Sequence, residues 1–296
     1  MDETLLNAVR RHADTHVGRD GIAPTPIPGL TAIRATAPSA LQYAVSRPLV
    51  ALVLQGRKRV AMGSRVFDFG AGDSLLITAD VPTVSQITGA SAAAPYYSLI
   101  LDLEPEVIER LSLEIDAAPG SREGPVLVDP TEREVADAAL RLMHLIDRPA
   151  AVPVLQAQLL REMHYWLLIG QHGSALRRLG VADSHARRIG RAIAIIRGEF
   201  AQPLRVERLA DAAGMSLSTF HEHFRAFTSL TPLRFQKQLR LIEARRMMFE
   251  GAAISDAAYA VGYESVPQFT REYARLFSMP PGRDMKAVKG RVHAAA

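Results

Sequence analysis

The sequence predicts an α+β chain. A front domain of short strands closes into a small barrel or sandwich with flanking helices, and an all-α domain follows it. Three observations support this. Residues from about 30 to 103 run in short apolar or alternating stretches punctuated by glycine and proline, the pattern of strands and turns rather than of a parallel α/β sheet. From about residue 104 the apolar period lengthens from two residues to about 3.6. The final third is helical throughout and repeats one helix–glycine–helix pattern.

The opening "MDETLLNAVRRHADTHVG" lacks an apolar signal core and reads as an amphipathic helix or loose arm. "PLVALVLQG" is a buried apolar run ending in glycine. "KRVAMGSRVFDFGAGDSLLIT" alternates around Gly63-Ser64 and Gly70-Ala71-Gly72-Asp73, and "VPTVSQIT" and "PYYSLILDLE" are rich in strand formers. Pro105 opens a short helix, "PEVIERLSLEI", and a Pro/Gly-rich break covers 118–125. Two longer helices follow. The apolar face of the first is Val135, Ala138, Ala139 and Leu142; that of the second is Leu155, Leu159, Met163, Trp166 and Leu167. Such a face serves equally to pack on the chain's own strands or on a second copy. "GQHGSALRRLGVADS" reads as a linker, partly helical. The expected division is a front domain at 1–173, a linker at 174–190 and a helical domain at 191–296.

In the helical domain Ile189, Ile193, Ile196 and Phe200 mark one helix, and "VERLADAAG" ends the next at Gly214. Ser216 caps a further helix. There Leu217, Phe220, Phe224 and Phe227 share the inward stripe, and Ser218, His221, Glu222 and Arg225 share the outward one. His221 and His223 lie roughly 200° apart around the helix, so one helix cannot offer both to a metal. A helix, a glycine turn and a helix with a polar outward stripe make a helix-turn-helix, whose second helix enters the major groove of DNA.

"AISDAAYAVGYESVPQFTREYARLFSMPP" repeats the arrangement. Gly262 stands for Gly214, Phe269 for Phe220, Tyr273 for Phe224 and Pro281 for Pro232. Ser265 and Gln268 form a capping box. Inward residues are Val266 or its neighbour, Phe269, Tyr273 and Leu276; outward ones are Pro267, Gln268, Arg271 and Arg275. Between the repeats, "TPLRFQKQLRLIEARRMMFEG" is capped by Thr231, opened by Pro232 and stopped by Gly251. It makes a strut of roughly 28 Å, against roughly 34 Å for a turn of B-DNA. Arg234, Lys237, Arg240, Arg245 and Arg246 are candidates for phosphate contacts, some of them paired instead with Glu243 and Glu250.

Residues 174–296 hold 20 Lys+Arg against 11 Asp+Glu, whereas the rest of the chain holds 15 against 20. A basic rear on an acidic front fits a polyanion-binding module on a carrier that binds none. Zero cysteines exclude disulfides, thiolate metal sites and a cysteine nucleophile. No histidine lies between Val17 and Met143, so the strands cannot build a histidine-based metal centre. Asp68, Asp73 and Asp80 leave a carboxylate-only site open, although Asp73 after a glycine turn suits a turn residue. "GAGDS" lacks the lysine and spacing of a phosphate loop. No catalytic residues, cofactor or membrane span are expected.

The two helix-turn-helix stretches together resemble the DNA-binding domain of AraC/XylS-type bacterial transcription regulators, over about 100 residues. "IPGLTAIRAT", "LVLQGRKRVAMG", "FGAGDSLLI" and "LDLEPEVIERL" resemble the cupin-like effector domain of one subgroup. With no export signal, a cytoplasmic location is expected, and the apolar helix faces leave a homodimer possible. The resemblance implies a regulator acting on double-stranded operator DNA, with RNA polymerase as a partner and a small effector in the barrel. It places base reading on Ser218, His221 and Glu222 in one helix and on Val266, Pro267, Gln268 and Arg271 in the other. Arg225 and Arg275 extend these stripes. Tyr43, Arg47, Tyr96 and Tyr97 are candidate effector contacts, chosen as polar-ended groups on or near strands. The alternative is a DNA-binding protein whose front domain only dimerises and senses no ligand.

Overall fold

The computed structural model describes residues 3–286 except 19, 64, 116–124 and 181–184. The Pro/Gly-rich break and the middle of the expected linker therefore lie largely outside the described residues, as does Ser64 of the Gly63-Ser64 turn. Two compact units emerge, Met1–Arg187 and Arg188–Ala296.

In the first unit, helix α1 (Leu5–His16) starts on Thr4, whose hydroxyl accepts from Asn7 N, and it buries Leu5, Ala8, Val9, His12 and Ala13. Nine strands follow: β1 (Ile22–Pro24), β2 (Leu30–Ala35), β3 (Gln42–Ser46), β4 (Leu49–Gln55), β5 (Arg57–Met62), β6 (Arg65–Gly70), β7 (Asp73–Ile77), β8 (Val81–Gly89) and β9 (Tyr96–Asp102). After α2 (Pro105–Glu114) comes β10 (Val126–Pro130), which the sequence reading missed: it is short, bounded by prolines and set directly behind the Pro/Gly-rich break.

The strands form two antiparallel sheets, ordered β1-β2-β9-β4-β7-β10 and β3-β8-β5-β6. The closed barrel is thus corrected to two facing sheets, since no ladder joins them among the described residues. The uninterrupted apolar run of β4 follows from burial on both faces. Val50 and Leu52 meet the helices, whereas Ala51 and Val53 join a second core with Val60, Met62, Phe69, Leu75, Ile77 and Ile87.

Helices α3 (Arg133–Ile146), α4 (Val152–Ile169) and α5 (Gly173–Gly180) complete the unit. The α3 stripe is the expected one. On α4 it is rotated: Leu160, Met163, His164, Leu167 and Leu168 are buried, while Leu155 is 45 % exposed. The rotation arises because His164, polar in a sequence reading, is a core residue. Its Nδ1–H donates to Leu160 O at 2.7 Å and its Nε2 accepts from Glu104 N at 3.0 Å, so burial lowers its pKa and keeps it neutral. The segment read as a linker is corrected in part. Within α5, Ala175 and Leu176 are buried in the first core, and a Cβ on Gly173 would lie 2.0 Å from Leu168 O. A buried relay ties the start of α5 to the sheet, with Ser74 Oγ 2.8 Å from His172 Nε2 and His172 Nδ1 3.3 Å from Asp129 Oδ2.

The second unit contains most of α6 (His185–Gly198), then α7 (Val206–Ala212), α8 (Leu217–Thr228), α9 (Pro232–Phe249), α10 (Ile254–Ala260) and α11 (Val266–Phe277). Its duplication is visible in detail. Gly214 and Gly262 turn the chain at φ +61° and +85°. Phe220–Phe224 and Phe269–Tyr273 both hold their ring centroids 5.4 Å apart at 56°. Both helices end on a left-handed serine, Ser229 and Ser278, each at φ 61°. Ser216 caps α8 through Thr219 N at 3.3 Å and Thr231 caps α9 through Arg234 N at 3.4 Å.

Two details differ from expectation. Ser265 makes no side-chain cap bond; Pro267 removes one of the two amides a cap hydroxyl can take, and the Gln268 side chain, which a capping box would send back to Ser265, turns to Glu272 instead. Leu217 is 42 % exposed and Phe277 replaces Leu276 as the buried residue, because periodicity fixes the angle around a helix but not the extent of cover along it.

Candidate nucleic-acid interface

The outward stripes come out as the spacing predicts. Ser218, His221, Glu222 and Arg225 are exposed on α8, as are Pro267, Gln268, Arg271 and Arg275 on α11. Val266 is half-buried at the first position of α11 and stands apart from the others. Inward neighbours hold each stripe in place: Phe224 packs between Phe220 and Phe235 of α9, and Phe269 and Tyr273 pack between Tyr263 and Phe277. No ion pair joins Glu222 to Arg225, and the guanidinium of Arg271 has no partner among the described residues.

The strut has 18 residues, about 27 Å at the helical rise. Its cations divide by role. Arg240 is no phosphate contact: its Nε donates to Phe200 O at 2.6 Å, Nη2 to Gln202 O at 3.0 Å and Nη1 to Gly262 O at 2.9 Å. Gln236 donates to the same two loop carbonyls, at 3.0 and 2.7 Å. These bonds fasten the α6–α7 loop to the turn of the second helix-turn-helix, and burial lowers the Arg240 pKa. Arg245 is likewise withdrawn into a buried pair with Asp284. Arg246 lies between Glu243 and Glu250, as expected for part of the set.

Lys237 donates to Glu272 Oε1 at 2.9 Å, while the Tyr263 hydroxyl donates to Oε2 at 2.8 Å. Burial opposes ionisation of Glu272, yet Lys237, Tyr263 and Gln268 hold its carboxyl below the ordinary value. Arg234 is exposed, its side chain engaged by no other described residue. With Lys237, Arg275 and Leu276 it lines a cleft of about 430 Å³ between α9 and α11.

The four candidate effector contacts do not converge. Tyr96 and Tyr97 are consecutive on β9 and face opposite sides of the sheet. Tyr97 belongs to the first core, where its hydroxyl donates to Asp14 at 2.7 Å, and Tyr96 belongs to the second. Arg47 is exposed and acts on Asp102, at the far end of β9. Tyr43 is half-buried on β3, in the other sheet. As for the carboxylates, Asp68 forms a two-pronged pair with Arg59 at 2.7 and 3.0 Å, and Asp73 accepts from Gly70 N at 2.8 Å as a turn residue. Among the described residues no three His, Asp or Glu side chains are grouped to hold a metal, and no helix is long and apolar enough to cross a membrane.

Comparison with known families decides the assignment. Residues 26–175 match the AraC-type transcriptional regulator N-terminus, and residues 209–287 match a helix-turn-helix domain. The chain belongs to the AraC-type transcriptional regulators. Similar curated proteins include the HTH-type transcriptional activator RhaS of Enterobacter sp. (strain 638), 32% identical over 108 residues, which are 34% of this chain and 39% of that protein. RhaS of Citrobacter koseri is 32% identical over 108 residues, 36% of this chain and 38% of the relative. The match therefore spans about two-fifths of those relatives. Among solved structures, ToxT from Vibrio cholerae shares the fold with a TM-score of 0.56 at 11% identity, covering 86% of this chain and 97% of that one. ToxT bound to (E)-4-(8-methylnaphthalen-1-yl)but-3-enoic acid gives 0.55 at 12% identity, covering 83% and 93%.

Proposed function

We propose that this AraC-type regulator binds a double-stranded operator in the cytoplasm, reading bases through α8 and α11, and that a small molecule held in its front domain alters that binding or its contact with RNA polymerase. The observation that carries the reading is the duplication. Two helices with the same aromatic anchor present exposed polar stripes from one compact unit, and a strut of nearly one helical turn of DNA separates them. Ser218, His221 and Glu222 are the reading set of the first unit, with Arg225 beside them. Glu222 suits a cytosine amino group. Gln268 and Arg271 lead the second set, alongside Pro267, Val266 and Arg275. A guanidinium as free as that of Arg271 can take guanine O6 and N7 together.

Arg271→Ala is expected to cost about 1–3 kcal/mol of binding at the operator and to relax base preference at one position. Quantitative gel shifts against cognate and random DNA check this, and equal losses on both would reduce Arg271 to a phosphate contact. For the front domain, ToxT with its bound carboxylic acid provides a fold precedent for effector binding. The domain's role is thus to bind rather than to catalyse.

One observation favours the second reading, a front domain that only dimerises. Helix α4 leaves Val154, Leu155, Tyr165 and Ile169 exposed along one side, an apolar edge suited to a second copy. The readings differ in linkage: a sensor must bind its ligand with different affinity in the DNA-bound and free states.

A further inference from the structure

Glu272 is the one carboxylate of α11, four residues after Gln268 and three before Arg275. Its side chain is 17 % exposed, and donors from both helices and the intervening turn reach it. Lys237 on α9 donates to Oε1 at 2.9 Å, and the Tyr263 hydroxyl, in the turn before α11, donates to Oε2 at 2.8 Å. Gln268, one helical turn back, directs its amide to the same carboxylate. An acid on a DNA-reading helix opposes the phosphates, and burial opposes its ionisation as well. Its presence between Arg271 and Arg275 therefore calls for an account.

The donors restrict one another. An ionised carboxylate accepts and cannot donate, so Gln268 can face it only with its amino group. The amide is thereby held in one of its two flips, which leaves Oε1 and one N–H for a partner outside the protein. Adenine presents an amino donor at N6 and an acceptor at N7 on its major-groove edge, and it matches that pair. Guanine presents two acceptors, O6 and N7, and would set an oxygen against Oε1. Gln268 is exposed, whereas the Tyr263 ring that supports Glu272 is buried against Phe269, with centroids 5.4 Å apart at 72°. Burial first, then Glu272, raises the Tyr263 pKa, so its hydroxyl stays a donor.

We infer that Glu272 sets the base preference of α11: by fixing the orientation of the Gln268 amide it selects adenine at the base pair Gln268 meets, and by holding Lys237 it keeps that ammonium off the phosphate backbone. Glu272 touches no base and is a positioning residue. The inference rests on the reading of α11 as a DNA-reading helix, and adds the base and the group that chooses it.

The test uses the full-length protein and duplexes carrying the sequence it recovers from a random pool, with each base pair varied in turn. Gln268→Ala locates the base pair concerned as the one whose preference it flattens, and adenine is expected there in the parent. Glu272→Gln keeps the shape of the side chain and frees the Gln268 amide to flip, so discrimination of adenine over guanine at that position should fall about fivefold or more. The same variant should steepen the dependence of log affinity on log salt by about 0.9, the increment of one phosphate contact, and adding Lys237→Gln should reverse the change. Tyr263→Phe keeps the ring on Phe269 and removes one bond to the carboxylate, so it should lower adenine discrimination in the same direction by a smaller factor. A merely structural role would instead lower the melting temperature and weaken binding to all base pairs alike. If Glu272→Gln fails to fold, Tyr263→Phe decides, and unchanged discrimination in that variant overturns the inference. Guanine at the position located by Gln268→Ala, or adenine discrimination retained by folded Glu272→Gln, overturns it too and leaves DNA reading by α11 standing. A recovered sequence at which neither Gln268→Ala nor Arg271→Ala changes any base preference overturns the reading of α11 itself.

Discussion

Gly262→Ala is expected to unfold the second helix-turn-helix unit or to destabilise it by about 3 kcal/mol or more. Gly262 has φ +85°, and an added Cβ would lie 1.9 Å from Ala201 O and 2.7 Å from Ala201 C. The obstacle is backbone, and that backbone cannot retreat: the carbonyls of Phe200 and Gln202 on either side of Ala201 are held by Arg240 and Gln236. Gly214, its counterpart in the first unit, provides an internal control. There the Cβ would meet only Arg188 Nη2, at 3.3 Å, the end of a flexible side chain, so Gly214→Ala should cost about 1 kcal/mol, mostly from the left-handed backbone. Urea denaturation of the two variants checks the difference. Equal losses would mean that the α6–α7 loop is not anchored as described.

Asp284→Ala is expected to cost about 3–5 kcal/mol, the range for breaking a buried pair from one side. The carboxylate is 3 % exposed. It accepts from Arg245 Nε at 2.7 Å, from Arg245 Nη2 at 3.2 Å and from the Tyr273 hydroxyl at 2.7 Å. Arg245 is further enclosed between the rings of Phe249 and Phe277, at 5.0 and 5.2 Å. Burial first, then Asp284, raises the Tyr273 pKa, so the phenol remains a donor. Removing Asp284 strands a guanidinium and a hydroxyl among aromatics and releases the chain after α11 from α9. The double variant Arg245→Met with Asp284→Leu should recover most of the loss, since apolar groups replace the pair without leaving a charge. Thermal melts of the single and double variants decide; a double variant no better than Asp284→Ala would contradict the account.

The residues that were legible in advance are those whose role is fixed by local geometry. Gly214 and Gly262 had to turn the chain, and Phe220, Phe224, Phe269 and Tyr273 had to face inward. The polar stripes through His221 and Arg271 then had to face outward. Roles that depend on partners distant in sequence were not legible. Arg234, Arg240, Arg245 and Arg246 look alike along one helix, yet one is free, one ties two carbonyl-rich turns together, one is buried on Asp284 and one is neutralised by its own helix. His164 hid the true stripe of α4 because nothing local shows that its ring bonds Leu160 and Glu104. Composition groups Tyr96 with Tyr97, whereas the period of two along a strand separates them.

The measurement that bears most directly on the proposed function is the sequence of DNA recovered by the full-length protein from a random pool, followed by its affinity for that DNA after a half-turn insertion. The account predicts two preferred segments centred one helical turn apart, about 10 bp. Binding should collapse when about 5 bp separate them further, because α9 and the Arg240 ties hold both recognition helices in one unit. A recovered pool with a single segment, or affinity indifferent to the insertion, would contradict it.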